Sequence, residues 1–211
     1  MTSNEREFLG AEMAKAHHYL EYGAGGSTQM AVACENLTNI YSVESDPKFV
    51  TDTLAKDPAI MAAQNAGRLH FKFIDIGPTR MWGYPKNRSK IHLWPNYALT
   101  GFGQGMSWDL ILVDGRFRVA CVILAALEAS ARCRVLVHDF TDRSEYKAML
   151  RFMRIARQVD ALVLLEKRPD FKPKAAQRAL RKYLYAPGDR VGLAHFRYIL
   201  GVLRRRAFGK E

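Results

Sequence analysis

Five short apolar runs constrain the fold of this chain more than any other feature, because each ends at or beside a carboxylate. The runs are residues 18–22, 40–44, 69–74, 110–113 and 134–137, and the acids at their ends are Glu21, Glu44, Asp75, Asp114 and Asp139. Runs of four to six residues have strand length, and the segments between them carry helical signals. Residues 5–16 read as a short amphipathic helix, and residues 27–37 as a second, with Ser27 or Thr28 in its first turn. Asp46-Pro47 opens a third, with the aspartate as N-cap and the proline at the first helical position. Residues 117–131 form an apolar helix between the fourth and fifth runs. Strand and helix in alternation make a parallel sheet covered on both faces.

The chain then changes pattern. After a helix at residues 143–150, residues 151–159 and 162–167 read as two strands joined by a tight turn at Asp160-Ala161. A link that short cannot make a parallel crossover, so one of the two strands must run antiparallel. The predicted class is therefore α/β: a doubly wound, mostly parallel sheet closed by an antiparallel hairpin, with a basic helical extension after it. The expected division is residues 1–170 as the sheet domain and residues 171–211 as the extension.

Length and composition fit one well-buried domain with a short appendage: 211 residues, 48% apolar. No run of eighteen uncharged apolar residues occurs, and Glu5, Arg6 and Glu7 lie where a secretion signal would need an apolar core. The expectation is a soluble, cytoplasmic protein. Cys34, Cys121 and Cys133 form no CxxC pair, so they read as buried thiols rather than as a disulfide framework or zinc site. The net charge of +11 is unevenly placed. Residues 1–150 carry 16 Lys and Arg against 16 Asp and Glu, whereas residues 151–211 carry 16 against 5. A neutral body with a basic end suits an anionic partner, such as nucleic acid, an acidic membrane surface or an acidic glycan; a solvated basic face is the alternative.

In a doubly wound sheet, ligands sit outside the carboxyl ends of the strands where the winding reverses. Five acids gathered at that edge are costly unless paired or bound to a cationic or polyhydroxyl ligand. In G-A-G-G-S-T, residues 23–28, the glycines let the chain turn sharply and bring backbone N–H groups close to a ligand at a helix start. A dinucleotide fingerprint would want glycine at Thr28. Glu21 would repel a pyrophosphate and attract an ammonium group. Glu44, 21 residues after Gly23, stands where a carboxylate accepts ribose hydroxyls. A ligand with a ribose and a cationic amino acid end, and no phosphate, meets both demands.

With these residues the chain resembles the class I S-adenosylmethionine-dependent methyltransferases. The resemblance covers residues 19–167 and rests on "YLEYGAGGST", "YSVESD", "FIDIG", "DLILVDGR" and "VLVHDF". It implies a seven-stranded Rossmann-like sheet and S-adenosyl-L-methionine as cofactor. Gly23 and Gly25 would shape the methionine pocket, Glu21 would hold the ammonium group directly or through water, and Glu44 would bind the ribose. Asp75 and Ile76 would lie near the adenine, with Gly26, Ser27 and Ser45 completing the cofactor set. Asp114 would sit at the reaction centre.

A sulfonium methyl is already activated, so the enzyme mainly aligns a nucleophile and, for a hydroxyl acceptor, takes its proton. Asp114, His138 and Asp139 are the candidates for that work. For His138 an ordinary strand-end role, bonded to backbone, weighs equally. A divalent metal held by Asp114 and Asp139 is possible in principle and not favoured, because the metal-dependent catechol-type branch carries Asp-Asn where this chain has His138-Asp139.

Acceptor recognition falls to residues 77–108, too long for a plain connector, where Trp82, Tyr84, Trp94, Tyr97, Phe102 and Trp108 interleave with Arg80, Lys86, Arg88 and Lys90. The alternative is a segment whose aromatics pack in the core. Arg116 and Arg118 could hold an anionic acceptor. Residues 174–185 and 191–208 read as basic helices that can dock on the domain, pair two subunits in a homodimer or lie on an acidic membrane surface. The favoured function is O-methylation of a small-molecule or glycan hydroxyl. The rivals are a nicotinamide-dependent Rossmann oxidoreductase and a non-catalytic methyltransferase-like domain that binds through its basic C-terminus.

Overall fold

The computed structural model describes residues 1–103, 105, 107–192, 197 and 199–201. Most of the expected 191–208 helix lies outside the described residues. In chain order the elements are α1 (Ser3–Met13), β1 (His18–Tyr22), α2 (Gly26–Ala33), β2 (Asn39–Glu44), α3 (Pro47–Asp52), α4 (Pro58–Asn65) and β3 (Leu69–Phe73). A two-stranded ribbon follows, β4 (Thr79–Arg80) and β5 (Tyr84–Pro85), then α5 (Pro95–Leu99), β6 (Leu110–Val113), α6 (Arg118–Glu128) and β7 (Arg134–Val137). The last elements are β8 (Met153–Val159), β9 (Leu162–Lys167) and α7 (Pro173–Tyr183).

Seven strands form one sheet in the order β3-β2-β1-β6-β7-β9-β8. All neighbours from β3 to β7 are parallel, and β9 runs antiparallel to both β7 and β8. The winding reverses between β1 and β6, as the alternation and the Asp160-Ala161 turn require. Side chains alternate across the sheet. Leu20, Tyr22, Ile111, Val113, Val135 and Val137 pack with α5, α6 and α7, while Tyr19, Ile40, Leu110, Leu112 and Leu136 pack with α1, α2 and α4. The outer strand β8 exposes Arg154, Ile155 and Arg157 and carries a register shift beside Ile155, features that suit an unpaired edge.

Several boundaries differ from the sequence reading for local reasons. Residues 144–151 form a 3-10 rather than an α-helix. The apolar helix begins at Arg118, because Phe117 takes a left-handed conformation (φ 53°) that seats its ring between Trp94 and Tyr97. Asp46 caps α3 as expected, accepting from the N–H groups of Lys48 and Phe49. The predicted basic helix is α7, which buries Ala176 and Leu180 and leaves Lys174, Arg178, Arg181 and Lys182 exposed. Just after it, Asp189 accepts a hydrogen bond from the Val119 N–H at 2.9 Å, joining this segment to the first turn of α6. All three cysteines are free thiols. Among the described residues, no helix is long and apolar enough to cross a membrane.

Candidate active site

The carboxyl ends of β1, β2, β6 and β7 open into one cavity of about 1230 Å³. Its floor is the turn after β1. Gly23 has φ 96°, and its N–H donates to Val43 O on β2 at 2.9 Å. A Cβ there would lie 2.8 Å from the Cα and N of Gly115, so the turns after β1 and β6 touch backbone to backbone. Only glycine satisfies both demands. Gly25 and Gly26 differ: a Cβ on either would meet nothing within 4 Å. Their bare backbone faces open space in the cavity, which is the room a close-fitting ligand needs.

Glu21 corrects the sequence reading. Its side chain lies fully inside the protein, away from the cavity. Ser27 Oγ donates to it at 2.7 Å, Thr28 Oγ1 at 2.5 Å and Tyr19 Oη at 3.1 Å. Burial raises its pKa from the ordinary 4.5 to about 6, against the lowering effect of the Thr28 and Ser27 bonds. The carboxylate therefore pins the first turn of α2 under the glycine loop and does not line the cavity, so a direct contact with a ligand's ammonium group does not follow from its position. Ser27, also expected at the ligand, is buried with its hydroxyl committed to Glu21, although it borders the cavity.

Glu44 stands at the cavity wall. Its Oε1 accepts from Ser45 N at 2.6 Å, Asp46 N at 3.0 Å and Ser45 Oγ at 3.2 Å, while Oε2 accepts only from Ala24 N at 3.1 Å. A carboxylate offers about four acceptor sites, so one on Oε2 stays available. The ribose role read from the sequence fits this geometry for at least one hydroxyl, with Ser45 alongside.

Asp75 and Ile76 are not brought to the site. Ile76 is fully buried in the core, and the exposed Asp75 folds back to accept from Gly77 N at 2.9 Å and to pair with Lys90 at 3.4 Å. β3 stops at Phe73, one residue short of the predicted end. The chain then turns away from the cavity.

Past β6 and β7 the expected trio does assemble. Asp114 Oδ1 lies 3.1 Å from His138 Nδ1, and Asp139 Oδ1 lies 3.5 Å from the same nitrogen. On the other side of the ring, Nε2 is 3.3 Å from Glu5 Oε2. Glu5 comes from α1, where it closes a capping box with Thr2 and accepts from Ala161 N at 2.9 Å. A neutral imidazole has one donor nitrogen, whereas carboxylates on both sides call for two. Burial lowers the His138 pKa, but the Asp114 hydrogen bond and the charges of Asp114, Asp139 and Glu5 outweigh it and raise it above the ordinary 6.5. The flanking acids thus favour the protonated ring, which weighs against the general-base role read from the sequence. Sequence reading missed Glu5, although Thr2-Ser3-Asn4-Glu5 carries the capping-box spacing that marks the start of α1.

Arg118 completes the cluster and also departs from expectation. It is buried, and most of its donors are engaged from within: Nε to Gly115 O at 2.9 Å, Nη1 to His138 O at 2.6 Å and Nη2 to Asp114 O at 3.0 Å. It also pairs with Asp114 Oδ1 at 3.1 Å and Asp139 Oδ2 at 3.3 Å. Its first commitment is to these acids rather than to an acceptor, although it lines the cavity. Asp139 takes a second cation, Arg143, at 3.1 Å, and sits in a left-handed conformation (φ 56°) that orients it toward both. Burial opposes its charge, but Arg118, His138 and Arg143 prevail and hold its pKa below the ordinary value. The ligand atoms of Asp114, His138 and Asp139 lie within 4.8 Å of one another. A divalent ion there would have to displace a guanidinium from both carboxylates, so these donors do not favour a metal.

The 77–108 segment splits between the two roles considered for it. Trp94, Tyr97 and Trp108 are core residues. The β4–β5 ribbon instead folds over the cavity, with Arg80, Met81, Trp82, Gly83 and Tyr84 on its wall. At its tip, Met81 and Trp82 are about 80% exposed.

No protein-family model matches this chain, and no curated protein does. Among solved structures it is similar to a methyltransferase-like protein from Silicibacter pomeroyi, with a TM-score of 0.75 and 28% identity over 89% of this chain and 96% of that one. It is also similar in fold to a candidate caffeoyl-CoA O-methyltransferase from Staphylococcus aureus, with a TM-score of 0.53 and 8% identity over 80% of this chain and 85% of the other.

Proposed function

Starting from a chain that belongs by its fold to the class I S-adenosylmethionine-dependent methyltransferases, we propose that it methylates a hydroxyl of a small molecule or glycan. The observation that carries this reading is the pairing of Glu44, with an acceptor site free on Oε2, and the bare Gly25-Gly26 backbone beside it on one cavity wall. A ribose hydroxyl donated to Glu44 would anchor one end of the cofactor, and the open backbone would take its amino acid end. S-adenosyl-L-methionine supplies an electrophilic methyl group when bound.

This chain's residues then supply position and a proton acceptor. Asp114 lines the cavity, and its Oδ1 is engaged by His138 and Arg118, while Oδ2 accepts no hydrogen bond among the described residues. It is the group fitted to receive the acceptor's proton. His138, gripped by Glu5, and the Arg118 guanidinium hold Asp114 in place. Asp139 positions both cations. The antiparallel β9 also weighs against a nicotinamide-dependent oxidoreductase, whose doubly wound sheet has strand order 3-2-1-4-5-6 without a terminal hairpin.

Calorimetric titration with S-adenosylhomocysteine tests the reading. Glu44→Gln removes the charge and keeps one acceptor, and Glu44→Ala removes both. Losing a hydrogen bond to a charged group costs roughly 1.5 to 3 kcal/mol, so affinity should fall more than tenfold in Glu44→Ala and less in Glu44→Gln. Equal affinity in all three proteins would exclude the ribose role.

A further inference from the structure

Arg116 follows Asp114 by two residues and is 93% buried, since only 7% of its surface is exposed. Its neighbour Arg118 explains itself through five polar contacts with the protein. Arg116 has no such contacts, and the buried Asp189 meets it only as a charge beyond ion-pairing distance. Among the described residues, no carboxylate lies within ion-pairing distance of its guanidinium and no protein acceptor takes a hydrogen bond from it. Its backbone N–H donates to Tyr97 Oη at 3.3 Å, and its guanidinium stacks on the Tyr84 ring, 4.1 Å from the centroid. Stacking uses the face of the guanidinium and leaves its N–H edge free in the plane. Arg116 itself lines the cavity.

A buried cation normally has a partner, because removing it from water is expensive. Asp114 and Asp139, the nearest cavity acids in sequence, are already matched by Arg118, Arg143 and His138. The surroundings add positive charge: Arg6, Arg80 and Lys86 also line the cavity, and none is ion-paired among the described residues. Arg80 lies 5.9 Å from the centroid of the same Tyr84 ring. The ribbon that carries Tyr84 rests on Arg116, with the Cβ position of Gly83 3.8 Å from Arg116 Cγ. Tyr84 therefore fixes the guanidinium plane between the reaction centre and the ribbon.

Building on the methyltransferase reading, we propose that the acceptor carries an oxyanion, a carboxylate or a phosphate, that binds edge-on to Arg116 while its hydroxyl faces Asp114. Arg116 and Asp114 are two residues apart and line the same cavity, so one acceptor carrying both an oxyanion and a hydroxyl, such as a hydroxy acid, a uronate or a sugar phosphate, can engage both. Arg80 and Lys86 on the ribbon side add charge around the same group. A guanidinium edge suits such a group because it offers two parallel N–H donors to two oxygens.

The test is calorimetry at fixed ionic strength with three probes, inorganic phosphate, glucuronate and glucose, each titrated with and without S-adenosylhomocysteine. The expected result is saturable one-to-one binding of phosphate or glucuronate and none of glucose. Stronger binding of one oxyanion identifies which the site takes. Arg116→Gln should weaken that binding at least tenfold, and Arg116→Lys, which keeps the charge without the planar fork, should weaken it by a smaller factor. Both variants should bind S-adenosylhomocysteine within twofold of wild type, which also reports that they fold. Absence of oxyanion binding in the wild type, or equal binding in the variants, overturns the proposal. If wild type fails to bind S-adenosylhomocysteine, the cofactor reading falls, while the titrations without it still read Arg116 on its own.

Discussion

Two glycines three residues apart should respond to the same substitution in opposite ways. In Gly23→Ala the new methyl would meet the Gly115 backbone at 2.8 Å and the Asp114 carbonyl carbon at 3.1 Å. Neither side can yield easily, because Gly23 N–H is bonded to Val43 O and Asp114 N–H to Tyr22 O, each at 2.9 Å. Forcing an L-residue into a left-handed conformation costs roughly 1 to 2 kcal/mol, and overpacking costs about 1 to 3 kcal/mol more. A loss near 3 kcal/mol corresponds to a fall in Tm of roughly 6 to 12 °C for a chain of this size. Gly26 is the first residue of α2, and its new methyl would meet nothing within 4 Å. Gly26→Ala should leave stability unchanged or raise it by less than about 1 kcal/mol. Because that methyl projects into the space assigned to the cofactor, affinity for S-adenosylhomocysteine should fall about tenfold, in line with a steric cost near 1.4 kcal/mol. Thermal unfolding and calorimetry on both variants separate scaffold from site. A Gly23→Ala protein with wild-type Tm, or a Gly26→Ala protein with wild-type affinity, would refute the reasoning at that glycine.

Two further predictions concern charge. Glu21 has its pKa raised from 4.5 to about 6 by burial, so its contribution to stability is present below about pH 4.5 and lost as pH rises through 6, by roughly 2 kcal/mol in all. Glu21→Gln should remove that part of the pH dependence in urea unfolding; identical slopes for the two proteins between pH 4 and 7 would count against it. For His138 the folded pKa is also raised, so the imidazolium stabilises the fold fully below its unfolded value of about 6.5 and ceases to do so as pH climbs through the folded one. Glu5→Gln takes away one flanking carboxylate, and the NMR titration of His138 should then move down toward its ordinary value. Because Glu5 also accepts from Thr2 N and Ala161 N, stability should fall by roughly 1.5 to 3 kcal/mol. An unmoved titration would mean that Glu5 does not govern the His138 charge.

The sheet was legible because each strand is a compact apolar run with a clear stop, and the terminal hairpin because two residues cannot carry a crossover. The collection of Glu44, Asp114, His138 and Asp139 at one edge follows directly from that topology. The direction in which a side chain points does not. Glu21 sits within a strand of strict alternation, and its position on the α2 side, under Ser27 and Thr28, delivers it to the helix rather than to the cavity. Arg116 and Arg118 look equivalent in sequence, yet the left-handed Phe117 between them sends one to the cavity wall beside Tyr84 and the other into the Asp114–Asp139 pair. Glu5 lay beyond reach because its contact with His138 spans 133 positions, and only the fold brings α1 to that edge. Asp75 and Ile76 were misplaced because the extent of β3 depends on pairing with β2, which ends at Glu44 opposite Phe73.

The central claim is that Glu44 and the glycine backbone form a cofactor site in which Glu21 takes no direct part. A crystal structure with S-adenosylhomocysteine tests it most directly. The predicted density has a ribose hydroxyl on Glu44 Oε2 and the amino acid end along Gly25–Gly26, with Glu21 still closed behind Ser27 and Thr28. A ligand lying elsewhere, or an ammonium group in contact with a Glu21 turned into the cavity, would contradict the account.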